Sequence, residues 1–156
     1  METKEHSMVP AWITVFALLI IDQAAKLYVE GNYALGTSIP IVEDIFHFTY
    51  IQNPGAAFSI LEHQQWFFIG VNIVLFGAAV RYYRRLTRES GWIRYGCALL
   101  FGGAVGNLID RLRLGAVIDF FDFRIWPVFN IADIGICVGV GMMMYAIAFL
   151  STDEEE

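Results

Sequence analysis

Residues 129–150 read FNIADIGICVGVGMMMYAIAFL, an apolar run interrupted by one carboxylate, Asp133. From Ile131 to Leu150 it has the roughly 20 apolar residues a helix needs to cross a bilayer. An ionised carboxylate at membrane depth is costly, so such a residue usually faces a bundle interior or a polar cavity and has a function. A second carboxylate, Asp119, lies in equally apolar company just upstream, in Val117-Ile118-Asp119-Phe120-Phe121. The pair, with Asn and Arg nearby, points to a hydrolytic site.

Three further stretches resemble the first: about Ala11–Tyr28, Trp66–Tyr83 and Trp92–Ile109. The chain is 57% hydrophobic and 15% aromatic, against the roughly 45–50% apolar of a soluble domain. The fold expected is a membrane α-helical protein of four transmembrane helices, forming one domain over residues 1–156. Span one is too long, and too polar at Asp22 and Lys26, for a cleavable signal peptide, and no small-residue cleavage site follows it. Of the net charge of −6, much lies in Asp153-Glu154-Glu155-Glu156, a solvated end. The acidic balance, with no basic stripe, excludes nucleic-acid binding. Cys97 and Cys137 fall inside apolar segments and read as small buried residues. His6, His47 and His63 have no ligand spacing, so neither a metal nor another cofactor is expected.

Orientation follows from the arginines. The loop between spans two and three carries Arg81, Arg84, Arg85, Arg88 and Arg94, whereas Glu30–Gln65 has no Lys or Arg. The positive-inside rule places that loop and both termini in the cytoplasm. Residues 30–65 and 110–130 are then external. With this topology Asp22 and Lys26, Asn107, Asp110 and Arg111, and Asn130 and Asp133 all converge on the external side. The stretch Ile39–Ile51, rich in β-branched and aromatic residues, reads as one or two strands broken at Pro40 and around Glu43-Asp44. Asn53-Pro54-Gly55 is a turn signal, and Ala56–Leu61 reads as a short interfacial helix.

Each polar group has more than one use. Asp22 and Lys26 share a helix face, either as a self-neutralising pair or with Lys26 steadying another carboxylate or a lipid head group. Gly102-Gly103-Ala104-Val105-Gly106, and Gly135 with Gly139, have the small-xxx-small spacing that lets helices approach closely. Asn107, Asp110 and Arg111 share a face, where Asp110 either caps, or pairs with Arg111 or Arg113, in a structural network, or belongs to a site. Asn107 has donor and acceptor groups suited to a peptide backbone. Asp133 at a helix start is placed for capping as well as chemistry. Asp119 has no basic neighbour in sequence. Two facing carboxylates do not both ionise readily, which yields an acid and a base at one pH. Peptide hydrolysis without a metal or nucleophilic side chain needs that combination. Ser38 and Ser59 have no His or Lys base at suitable spacing.

These residues together resemble the lipoprotein signal peptidases, the type II signal peptidases of bacteria. The resemblance runs from Ile21-Asp22-Gln23-Ala24-Ala25-Lys26 through Asn53-Pro54-Gly55-Ala56-Ala57-Phe58, Gly102–Arg111 and Gly115–Phe120 to Phe129–Asp133. It implies four membrane helices with an external β-cradle, and a catalytic dyad of Asp119 and Asp133. It implies substrate contacts from Asn107, Arg111, Asn130, Asn53 and Gly55, supported by Asp22, Lys26, Asp110 and Ala132. The implied substrate is a prolipoprotein whose cysteine carries diacylglycerol, cut just before that cysteine. Membrane lipids and globomycin-type cyclic peptides are the other implied ligands, and the expected state is a monomer in the bacterial cytoplasmic (inner) membrane. One departure is Ile134, where the family commonly has Ser; the acidic tail is another.

Two other functions compete. An ion path through Asp22, Lys26 and Asp133 requires polar residues through the membrane depth, but the inner halves of the spans are apolar. A purely structural subunit leaves the burial of Asp119 unexplained.

Overall fold

The computed structural model describes residues 6–55, 64–86 and 88–150, without the side chains of 65, 83 and 84. The order is α1 Val9–Asn32, β1 Ser38–Val42, β2 Phe46–Asn53, α2 Gln65–Leu86, α3 Gly91–Leu114, β3 Val117–Asp122 and α4 Ile131–Phe149. The interfacial helix expected at Ala56–Leu61 lies outside the described residues.

Local chemistry sets the boundaries. Pro10 stands in the first turn of α1, where a missing N–H costs nothing. Ser90 caps α3 by accepting the Ile93 N–H, and Gly115 ends it in the left-handed region at φ 76°, its N–H returning to the Arg111 carbonyl. Asn130 caps α4 in a reciprocal box with Asp133. Helix α3 thus runs to Leu114, five residues beyond the expected end of the span at Ile109, and carries Asn107, Asp110 and Arg111 on one helix as their spacing suggested.

α1, α3 and α4 are long and apolar enough to cross a membrane. Their outer faces carry exposed Ile13, Phe16 and Ile20 on α1, and Met144 and Ile147 on α4, as lipid contact requires. The apolar part of α2, Trp66–Tyr82, is shorter. Helices α3 and α4 touch along a glycine seam. A Cβ on Gly139 would lie 2.5 Å from the Gly96 carbonyl oxygen, and one on Gly103 would overlap the Ala132 carbonyl. The small-residue spacing is therefore a packing device, and it draws the polar ends of the two helices together.

The strands form one antiparallel sheet in the order β1-β2-β3. Pro40 does not break the first strand. It pairs with His47 inside β1, an edge strand where a missing N–H is tolerated. The break falls at the turn after Val42, where Asp44 has φ 59°. Val117–Asp122, read as external without a strand assignment, forms the buried third strand. Alternation along β3 sends Ile118 and Phe120 into a cluster with Val29 of α1 and Tyr50 of β2, and turns Asp119 to the opposite face.

Candidate active site

Asp119 comes from β3, opposite Ile51 in the register, and Asp133 from the first turn of α4. Both line one cavity of about 200 Å³ together with Asn53, Gly55, Asn107 and Arg111. Asn130 connects them. Its side-chain amide donates to Asp119 Oδ1 at 2.6 Å, and its backbone N–H donates to Asp133 Oδ2 at 3.2 Å. Its own side-chain oxygen accepts the Asp133 N–H at 2.9 Å. Capping and site construction are thus one arrangement.

Each carboxylate has a second amide. Asn53 donates to Asp119 Oδ2 at 3.0 Å, while its oxygen accepts the Gly55 N–H in a tight turn. Asn107 donates to Asp133 Oδ1 at 2.8 Å. Asp119 is 2% exposed. Burial pushes its carboxyl up to about 7, and the nearby Asp133 charge adds to this; the Asn53 and Asn130 amides and the Lys26 charge oppose it. At neutral pH the site therefore holds a carboxyl close to half protonated beside a second acid.

Beneath the cavity lies a buried ionic cluster. Lys26 Nζ contacts Asp22 Oδ2 at 3.0 Å, Asp110 Oδ2 at 2.9 Å and Asn107 Oδ1 at 2.9 Å. These three acceptors match the three ammonium hydrogens. Asp22 Oδ1 accepts the Ala132 N–H, tying α1 to the start of α4, and Asp110 Oδ2 accepts the Ile118 N–H, tying α3 to β3. The lysine thus neutralises Asp22 and meets a second carboxylate, Asp110, and its third contact orients the amide that reaches Asp133. Asp110 meets Lys26 and the Ile118 N–H, and Arg113 meets Glu30 at 2.6 Å.

Arg111 bridges two backbone carbonyls, Asn107 at 3.3 Å and Gly55 at 3.1 Å, and its guanidinium lies over the Phe68 ring at 4.3 Å. The residues expected to bind or support thus gather around the two aspartates. Sequence reasoning gave Gln23 no role, yet its amide reaches Asp22, the Gly106 carbonyl and Asp110. Its place one residue after Asp22 was the available signal. Cys137, expected to be buried, is exposed and lines the cavity one turn below Asp133. Ile134 is exposed on the outer side of α4.

The chain is similar to known proteins over most of its length. A model of the signal peptidase (SPase) II family matches residues 14–149. A lipoprotein signal peptidase of Halothermothrix orenii is 44% identical over 133 residues, covering 85% of this chain and 91% of its own. One of Geobacter metallireducens is 46% identical over 132 residues, covering 80% and 82%. A bacterial membrane enzyme solved by the in meso method at 2.3 Å resolution superposes with a TM-score of 0.90 at 29% identity, covering 98% of this chain and 96% of its own. On this footing the chain belongs to the signal peptidase II family.

Proposed function

We propose that the protein removes the signal peptide from diacylglyceryl-modified prolipoproteins, as an aspartic endopeptidase cutting just before the lipidated cysteine. The observation that carries this reading is that two carboxylates from different elements line one cavity, share Asn130 as a partner, and include one acid, Asp119, raised to about 7. The family match and the relatives' common name support the substrate class.

The dyad starts with one proton, on Asp119, and Asp133 ionised at the N-terminus of α4. Asp133 takes a proton from water as the water oxygen adds to the scissile carbonyl carbon. Asp119 gives its proton to the carbonyl oxygen, forming a neutral gem-diol. Asp133 then protonates the nitrogen, the C–N bond breaks, and Asp119 recovers a proton from the diol. The acid and amine products leave with both carboxyl groups reset. Asn107, Asn130 and Asn53 hold the carboxyl groups, and Arg111 and Gly55 form the wall on which the peptide lies. Asp22, Lys26, Asp110 and Ala132 fix that wall from below.

In the membrane the molecule is a single-domain monomer with four spans, α2 completing the bundle. Both termini and the arginine-rich turn face the cytoplasm, and the aspartates lie at the external surface, where a lipid-anchored peptide bond is within reach. The same cavity accepts globomycin-type cyclic peptides.

The decisive experiment is cleavage of a diacylglyceryl-modified prolipoprotein by wild type, Asp119→Asn and Asp133→Asn, with melting curves as a folding check. Loss of at least about 10²–10⁴-fold in each folded variant is the expected result. Near-normal cleavage by either variant overturns the two-aspartate mechanism.

A further inference from the structure

At the end of the bundle away from the aspartates, α1, α2 and α3 frame a half-open apolar cavity of about 300 Å³. Trp12 and Val15 line it from α1, Phe76 and Ala79 from α2, and Arg94 and Phe101 from α3. The volume is at the small end of the roughly 300–1,000 Å³ typical of ligand sites. Arg94 lies about 25 Å from Arg111 along α3 at 1.5 Å per residue, so this is not part of the peptidase site.

Arg94 is the charged residue of that wall. Its Nε is buried without a hydrogen-bond partner, and among the described residues no carboxylate is paired with it. A buried guanidinium N–H left unsatisfied is costly, and an anionic oxygen would relieve it. Arg94 also stands at the start of α3, whose first turn contains no acidic residue, so the positive end of the helix adds to the arginine; the nearby acid, Glu89, precedes the cap and is paired with Arg85. Trp92 and Tyr95 flank it and are exposed, the arrangement of aromatic side chains at a membrane–water boundary. Arg94 thus joins an otherwise apolar lining at the end of α3 where these aromatic side chains cluster, with its Nε buried and unpartnered.

We propose that this cavity binds one acyl chain of an anionic phospholipid, with the lipid phosphate on Arg94. A soluble anion has no use for the apolar chamber, and a neutral hydrophobe has none for the guanidinium; one phospholipid uses both. Basic pockets between membrane helices serve anionic head groups in this way.

The test is lipid retention by purified full-length protein equilibrated with equal phosphatidylglycerol and phosphatidylcholine, read by native mass spectrometry. Wild type is expected to retain phosphatidylglycerol about fivefold over phosphatidylcholine, the ratio for one arginine–head-group contact. Arg94→Gln abolishes the preference and Arg94→Lys keeps most of it. Ala79→Phe, which fills the chamber, lowers retention of both lipids. Arg85→Gln, altering an exposed arginine already paired with Glu89, leaves the preference intact. Equal retention of the two lipids by wild type overturns the proposal, as does a preference that survives in Arg94→Gln. Loss in Arg85→Gln matching that in Arg94→Gln overturns it too, since diffuse loop charge would then be the cause. Melting temperatures within a few degrees of wild type establish that the variants are folded; if Arg94→Gln is not, Ala79→Phe decides, and unchanged retention there rejects the site.

Discussion

Lys26 Nζ lies 2.9 Å from the side-chain oxygen of Asn107, and this contact fixes which way the Asn107 amide faces. With its oxygen on the ammonium, the amide must present its N–H groups to Asp133. Lys26 is fully buried, as are its partners Asp22 and Asp110. Replacing it by Met leaves two buried carboxylates without their cation and takes from the Asn107 oxygen one of its two donors, the other being the Asn130 amide at 3.1 Å. Removing one partner of a buried ion pair costs about 3–5 kcal/mol. Lys26→Met is expected to lower stability by that order in detergent melts, and to lower cleavage in the fraction that remains folded. An unchanged melting temperature would mean that the cluster is not what joins α1 to α3 and α4.

The raised Asp119 acid sets a pH dependence. The proposed mechanism starts with the proton on Asp119, so cleavage is expected to fall as pH rises through about 7, approaching tenfold per unit beyond it. The Asn53 amide stabilises the ionised form, so Asn53→Leu raises the Asp119 acid further and moves the alkaline limb upward. Stability follows the same sign. A folded-state acid above its unfolded value of 3.8 contributes stability that is complete below about 4 and lost as pH rises through about 7. Melting temperatures of wild type should fall over that window relative to Asp119→Asn. Coincident slopes for the two proteins would remove the assignment of the proton to Asp119.

The polar cluster was legible in the sequence because hydropathy and arginine placement together bring Asp22, Lys26, Asn107, Asp110, Asn130 and Asp133 to one side. An apolar segment makes every charge in it conspicuous. The capping box was half visible: Asn130 and Asp133 three apart announce a helix start, but not that one amide also reaches Asp119. The strand carrying Asp119 was harder to find, since Val117–Asp122 is buried by a sheet partner more than 60 positions away in sequence. Pro40 misled because breaking is its usual effect, and only the edge position of β1 makes it harmless. The exposure of Cys137 depends on how α4 is rotated about its axis, which an almost uniformly apolar helix does not encode.

Asn130 separates capping from chemistry. Asn130→Ser retains a good N-cap for α4, but a hydroxymethyl group does not reach from α4 to Asp119 as the amide does at 2.6 Å. Asn130 is fully buried and its amide also reaches the Asn107 side-chain oxygen and the Ile118 carbonyl, so stability should fall by about 1–3 kcal/mol, while the turnover rate of the folded protein falls tenfold or more, by about the cost of one lost charge-assisted hydrogen bond, 1.5–3 kcal/mol. A loss confined to stability, with turnover of the folded protein intact, would reduce Asn130 to a cap.

The glycine seam gives a positional prediction. A methyl on Gly103 would run into the Ala132 carbonyl and the Ile136 side chain, next to the turn that presents Asp133. A methyl on Gly141, on the same helix α4 as Ala132, meets nothing within 4 Å. Backbone has no rotamer with which to yield, so Gly103→Ala must push α3 from α4 at the level of the dyad. Overpacking of this kind costs about 1–3 kcal/mol. It should also displace Asn107 from Asp133, whose 2.8 Å bond spans that same helix pair. Gly141→Ala should leave both melting temperature and cleavage unaltered. Parallel melts and cleavage rates for the two variants test the claim, and equal behaviour at the two positions would show that close approach of α3 and α4 does not set the geometry of the site.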